Sequence, residues 1–340
     1  MFDSKIYVQR RKRLRDEIKS GLILFLGNEE SPMNYPSNTY EFRQDSTFLY
    51  FFGLDYPSLA AVIDADQGKE IVFGNDVSIE DIIWMGFQPS LRERAMLVGV
   101  KETRPLSQLE EIVISAVKQG RKVHHLPPYR PETRLRIARL LGIQADAVKA
   151  NSSVDLIKAV VAQRSVKIKE EVEEIEKARN VTYVMHTTAM KMAKAGLYER
   201  EIVGKIEGIV FSHGYSLAFP TILTINGQIL HNHFHGNRLK KGRLLVNDSG
   251  AESSLHYASD ITRTVPVGGK FTQTQRDIYE TVLNGQETAI KSITPGIKYK
   301  DIHIKVATSI VSDLSRLGLM KGNVDEAVLA GAHALFFPHG

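Results

Sequence analysis

Short apolar runs alternate with amphipathic stretches through the first half of the chain. Residues 21–27 (GLILFLG), 59–63 (LAAVI) and 70–73 read as strands, because brief continuous apolar runs bounded by turn residues suit a buried sheet. Residues 106–118 and 132–141 instead space their apolar positions for one helical face, so each helix is expected to pack against that sheet. This alternation predicts an α/β fold. Around residues 151–176 the pattern changes: an apolar stretch passes into KIKEEVEEIEK, the exposed start of a long helix running to about residue 195. The domain boundary is placed there, giving residues 1–164 and 165–340. The second half reads as a helix over 198–211, strands over 221–225, 244–247, 252–256 and 260–267, and helices over 273–292 and 301–317. It is an α+β arrangement.

Length supports two domains, since 340 residues exceed the roughly 250–300 at which single cores stop growing. Hydrophobic residues at 43% and charged residues at 24% place the chain among folded globular proteins with a sizeable core. The net charge of +5 is concentrated nowhere except at Arg10, Arg11, Lys12, Arg13 and Arg15. That run reads as a solvated helix face and not as a nucleic-acid arm, because no aromatic residues interleave with it and Asp16 and Glu17 dilute it. There is no cysteine, which excludes disulfides, zinc–thiolate sites and thiol nucleophiles and leaves Asp, Glu and His for any metal. No run of about 18 apolar residues and no signal-peptide pattern is present. A cytoplasmic protein with neither membrane nor nucleic-acid partner is expected.

The chemistry concentrates in residues 246–266, VNDSGAESSLHYASDITRTVP. Asp248 leaves one apolar strand and Asp260 enters another, so a hairpin between those strands brings two carboxylates to one point. Divalent ions of hard or borderline character take such oxygen ligands, and paired ions need carboxylates to offset their repulsion. By spacing alone the two residues read as turn residues, since isolated Asp-Xaa-Gly sequences mark turns. His231, His233 and His235 alternate in HNHFH and would share one face of a strand; His233 and His235 are read as loop residues beyond it. His124, His125 and His256 are read as structural.

The residues DSGAE at 248–252 and YASDITRTVPVGGKFTQTQRDIYETVL at 257–283 closely resemble the metal-binding strands of the aminopeptidase P and prolidase family, whose catalytic domain is the pita-bread fold. Residues 219–222 (FPTI), 229–231 (ILH), 196–199 (GLYE) and 295–296 (PG) are similar to that family as well, and residues 40–46 (YEFRQDS) and 48–53 (FLYFFG) resemble the aminopeptidase P N-terminal domain. The resemblance implies that Asp248 and Asp260 are metal ligands for two divalent ions, manganese in particular. It implies that His231 lines the substrate pocket and that Thr262 orients a ligand or water. The final FFPHG resembles the start of Pro-His-Gly-x-x-His, giving His339 a role at the substrate or in proton movement. Implied partners are peptides with proline at the second position, hydrolysed before that proline by a metal-activated water. A homo-oligomer is also implied, with Trp84 near another subunit's site.

The family's second histidine and its two later glutamates do not occur in residues 1–340. The expectation is therefore a catalytic domain lacking its C-terminal part, inactive on its own. Two rivals stand beside the aminopeptidase: a prolidase, which cleaves only dipeptides, and a metal-free pita-bread protein that binds a partner. Retention of both Asp248 and Asp260 weighs against the second.

Overall fold

The computed structural model describes residues 1–338 and divides into two compact units, Met1–Glu174 and Ile175–Gly340. In the first unit the helices are α1 (Ser4–Ile18), α2 (Ser46–Phe52), α3 (Ile79–Met85), α4 (Leu91–Met96), α5 (Gln108–Lys118), α6 (Pro131–Leu141) and α7 (Val154–Ser165). The strands are β1 (Leu22–Leu26), β2 (Pro32–Tyr35), β3 (Asn38–Thr39), β4 (Ala60–Asp64), β5 (Lys69–Phe73), β6 (Glu102–Arg104) and β7 (Val123–His124). Five of them form a mixed sheet in the order β6-β5-β4-β1-β7. Both faces of this sheet are covered, which is why β1 is an unbroken apolar run. Ile23 and Phe25 face a core shared with Leu14 of α1 and with Phe48, Phe51 and Phe52 of α2. Leu22 and Leu24 face Leu109, Val113 and Ala116 of α5 and Leu140 of α6. The period of two along the strand sorts the residues between these layers.

The basic run of α1 departs from the sequence expectation. Lys12 and Arg13 are solvated and pair with Asp16 and Glu17 one turn on, but Arg10 and Arg11 are only 6% and 0% exposed. The Arg11 guanidinium donates to the carbonyl oxygens of Phe51 and Val98, each at 2.8 Å, and pairs with Glu70 at 2.8 Å. Arg10 donates to the Tyr50 carbonyl at 2.9 Å, stacks over the Tyr50 ring and pairs with Glu171. Burial depresses the Arg11 pKa, and Glu70 opposes that shift. A helix of fifteen residues turns successive side chains through 100°, so a contiguous basic run cannot all face water when one side of the helix is packed.

The division between the units falls within α8 (Lys169–Met192), the long charged helix expected from the sequence. Then follow α9 (Glu199–Ser212), β8 (Ser216–Leu217), β9 (Ile222–Thr224), β10 (Leu244–Ser249), β11 (Ala251–Glu252), β12 (Ile261–Pro266), α10 (Gln273–Ser292), α11 (Tyr299–Arg316) and α12 (Val324–Leu329). A three-stranded antiparallel sheet runs β12-β10-β9, and β11 pairs with β8. Val181, Met185 and Ala189 of α8 and Ile202, Ile206 and Val210 of α9 form one core with Leu223, Leu245 and Ala251 from the strands. The helix α10 begins at a capping box in which Thr272 and Gln275 satisfy each other's free amide groups. The expected strand over 252–256 is not formed beyond Glu252. Residues 253–256 close a turn, with His256 at φ 62° and its amide bonded to the Ser253 carbonyl. Among the described residues no helix is long and apolar enough to cross a membrane.

Candidate metal centre

Strand β10 alternates strictly, burying Leu245, Asn247 and Ser249 and leaving Leu244, Val246 and Asp248 on the more open face. Its antiparallel neighbour β12 places Thr262 directly opposite Asp248 and Ile261 opposite Ser249. The Thr262 hydroxyl donates to Asp248 Oδ1 at 2.8 Å, fixing one carboxylate oxygen. Asp260 stands one residue before β12, where its carboxyl lies near enough to that of Asp248 to feel its charge. Burial of the carboxyl, then the charge of Asp248, hold Asp260 above its ordinary pKa, although the residue as a whole is exposed.

Two backbone features make this convergence possible. A side chain at Gly250 would collide with the Ser259 carbonyl, so only glycine permits the two carboxylate-bearing segments to lie so close. The Ser259 amide then donates to the Ala251 carbonyl at 2.9 Å and locks the approach. Beneath the strands lies a buried polar group that spacing arguments did not single out. Thr182 and His186, one turn apart on α8, are 0% and 4% exposed. Asn247 Nδ2 donates to His186 Nδ1 at 3.2 Å, and His186 Nε2 donates to the Ser249 carbonyl at 3.2 Å. Burial depresses the His186 pKa, which keeps the ring neutral in this tautomer. The signal in the sequence was faint: two polar residues at spacing four on the apolar stripe formed by Val181, Met185 and Ala189.

The chain leaves β9 and turns at Asn226 and Gly227, and His231 lies exposed in the turn that follows. This loop is held at its base by Glu199, a fully buried carboxylate that accepts from the Ile225 amide at 2.7 Å and from Asn237 Nδ2 at 2.9 Å. His233 is exposed, and His235 Nδ1 lies 3.2 Å from the Leu223 carbonyl. His339 lies outside the described residues. On the open face of the same sheet, a cleft of about 990 Å³ is bounded by Val246, Thr262 and Thr264 from the strands and Ile278, Tyr279 and Val282 from α10.

Two neighbouring carboxyl groups cannot both ionise cheaply; a shared proton or a bound cation relieves the repulsion. The donor set is oxygen, it is reached from the open face, and one ligand atom is already oriented by Thr262. These features fit a divalent cation. Among the described residues, however, no group of three or more His, Asp or Glu side chains comes together.

Both parts of the chain are similar to known proteins. Residues 173–340 match the pattern described as metallopeptidase family M24, and residues 7–124 match that of the aminopeptidase P N-terminal domain. A probable Xaa-Pro aminopeptidase of Chaetomium globosum is 31% identical over 94% of this chain, which spans 53% of that relative. The Xaa-Pro aminopeptidase of Escherichia coli is 28% identical over 98% of this chain and is itself covered to 78%. Among solved structures, a variant of Escherichia coli aminopeptidase P in complex with substrate superposes with a TM-score of 0.87 at 28% identity, covering 100% of this chain and 79% of that one. A zinc-substituted form of the same enzyme in complex with product gives 0.86 at 29% identity with the same coverage.

Proposed function

Since the chain belongs to metallopeptidase family M24 and carries the aminopeptidase P N-terminal domain, we propose that it acts in metal-dependent hydrolysis of the bond between an N-terminal residue and a following proline. The observation that carries this reading is the convergence of the segments bearing Asp248 and Asp260, set by the β10–β12 register and the close approach at Gly250, within the matched region. Asp248 and Asp260 would hold divalent cations, and Thr262 would keep the Asp248 carboxylate turned toward them. Such ions, when bound, lower the pKa of a coordinated water so that hydroxide is available near neutral pH. His231, on its exposed loop, would donate a hydrogen bond to the scissile carbonyl oxygen, where negative charge develops; His339 would serve the same end of the substrate.

The finer features belong to the same proposal. Manganese suits carboxylate oxygen donors without thiolate. The substrate class rests on relatives that carry the Xaa-Pro aminopeptidase name, which favours longer peptides over the dipeptides of a prolidase. Self-association is supported by α3, where Ile83 and Trp84 are 76% and 81% exposed beside the exposed Phe87, more apolar surface than an isolated helix leaves in water. Light scattering that shows only monomer at micromolar concentration would count against that part. For the activity, the full-length protein is incubated with Mn(II) and two peptides that differ only in proline or alanine at the second position. Release of the N-terminal residue from the proline peptide alone is expected; equal release from both, or from neither, overturns the assignment.

A further inference from the structure

The residues flanking the two carboxylates are held by one helix. Ser249 follows Asp248, Ser259 precedes Asp260 and Ile261 follows it. The His186 ring is hydrogen-bonded to the Ser249 carbonyl through Nε2 at 3.2 Å. One turn earlier, Thr182 shares a hydrogen bond of 2.5 Å with Ser259 Oγ and accepts from the Ala251 amide at 2.9 Å. Asn247 closes the set, donating to His186 Nδ1 and accepting from Ser249 Oγ at 3.1 Å. Two side chains on one rigid element thus touch the neighbours of both Asp248 and Asp260, while touching neither carboxylate.

A hydrophobic pair would fill this space as well and would avoid burying polar atoms, which costs free energy unless every partner is supplied. Here the partners are supplied, and the hydrogen bonds fix positions that apolar packing leaves free to slide. Resting on the reading of Asp248 and Asp260 as metal ligands, we propose that Thr182 and His186 are positioning residues that set the separation of the two carboxylates before any cation binds. The imidazole does this as a neutral donor through Nε2, so a glutamine amide, whose nitrogen reaches a similar place, substitutes for it and a leucine does not.

The experiment titrates Mn(II) into the full-length protein and into His186→Leu, His186→Gln, Thr182→Val and Thr182→Ser, with thermal melts of the metal-free forms alongside. Groups that orient metal ligands from outside typically contribute about 10–100-fold in affinity. His186→Leu and Thr182→Val are expected to weaken binding by that factor, while His186→Gln and Thr182→Ser stay within about threefold of the parent. A lower melting temperature with unchanged affinity in the leucine and valine variants overturns the proposal and leaves the pair a structural role alone. Should His186→Leu fail to fold, the Thr182 variants decide the matter. Asp248→Ala is the separate control. Unchanged metal binding in that variant sinks the ligand assignment, whereas its loss beside unchanged His186→Leu sinks only this inference.

Discussion

At the scale of single residues the carboxylate pair costs the metal-free protein stability. Asp260 binds its proton more tightly folded than unfolded, because burial and the Asp248 charge oppose its ionisation. The penalty is absent below the ordinary carboxylate pKa, grows as pH rises through that value, and is complete above the raised folded-state pKa. Asp260→Asn is therefore expected to raise the stability of the metal-free protein at pH 7 and to leave it unchanged at pH 3. The same substitution removes an anionic donor and lowers Mn(II) affinity. Melts in a chelator at the two pH values check the first effect and calorimetric titration the second; an Asp260→Asn chain that is less stable at pH 7 contradicts the argument. His233→Ala, which alters an exposed loop residue, should change neither quantity.

At the scale of elements, what holds a segment is often a polar group the helix or strand pattern does not advertise. Arg11 ties α1 to the carbonyls of Phe51 and Val98 and to Glu70, so Arg11→Ala leaves two buried carbonyls and a carboxylate without their donor. A loss of about 3–5 kcal/mol is expected, as for other broken buried pairs, measured by urea denaturation. Gly250→Ala should cost at least about 3 kcal/mol, since the new methyl group meets backbone at Ser259 that cannot step aside. A value under about 1 kcal/mol would mean that the approach is looser than described. The apolar runs at β1, β4 and β5 and the amphipathic helices α5, α6, α9, α10 and α11 were legible from periodicity, because burial of one or both faces dictates their composition. Short elements such as α3, α4, β6 and α12 were not, since three to seven residues carry too little periodicity to register. Asp248 and Asp260 were visible as candidates, but their convergence depends on Gly250 and on the register of β10 against β12, which residue patterns do not encode. Thr182 and His186 were hidden for a related reason: a polar residue on a buried helix face looks the same in sequence whether it is satisfied or misplaced.

At the scale of the whole molecule, residues 1–340 span 53% of the Chaetomium globosum relative and 78% of the Escherichia coli one. Within the described residues two carboxylates converge and no third donor joins them. Oxygen-ligated cations are held more weakly as ligand charge and number fall, and sites at the weak end have Kd values of about 10⁻⁴ to 10⁻³ M. Residues 1–340 by themselves are expected to bind Mn(II) in that range and to show no Xaa-Pro hydrolysis. The open face of the sheet bears on the same prediction. Val246, Thr264, Ile278 and Val282 border a cleft of about 990 Å³, and further chain packed on this face would supply both ligands and cover. The comparison sets residues 1–340 against a chimaera carrying the corresponding C-terminal portion of the Escherichia coli relative, with Mn(II) titration, melting temperature and proline-peptide hydrolysis as readouts. The chimaera should bind at least tenfold more tightly, melt higher and turn over. Micromolar binding together with equal turnover by residues 1–340 alone would show that donors other than Asp248 and Asp260 complete the centre, brought together by a rearrangement or by a second copy of the chain.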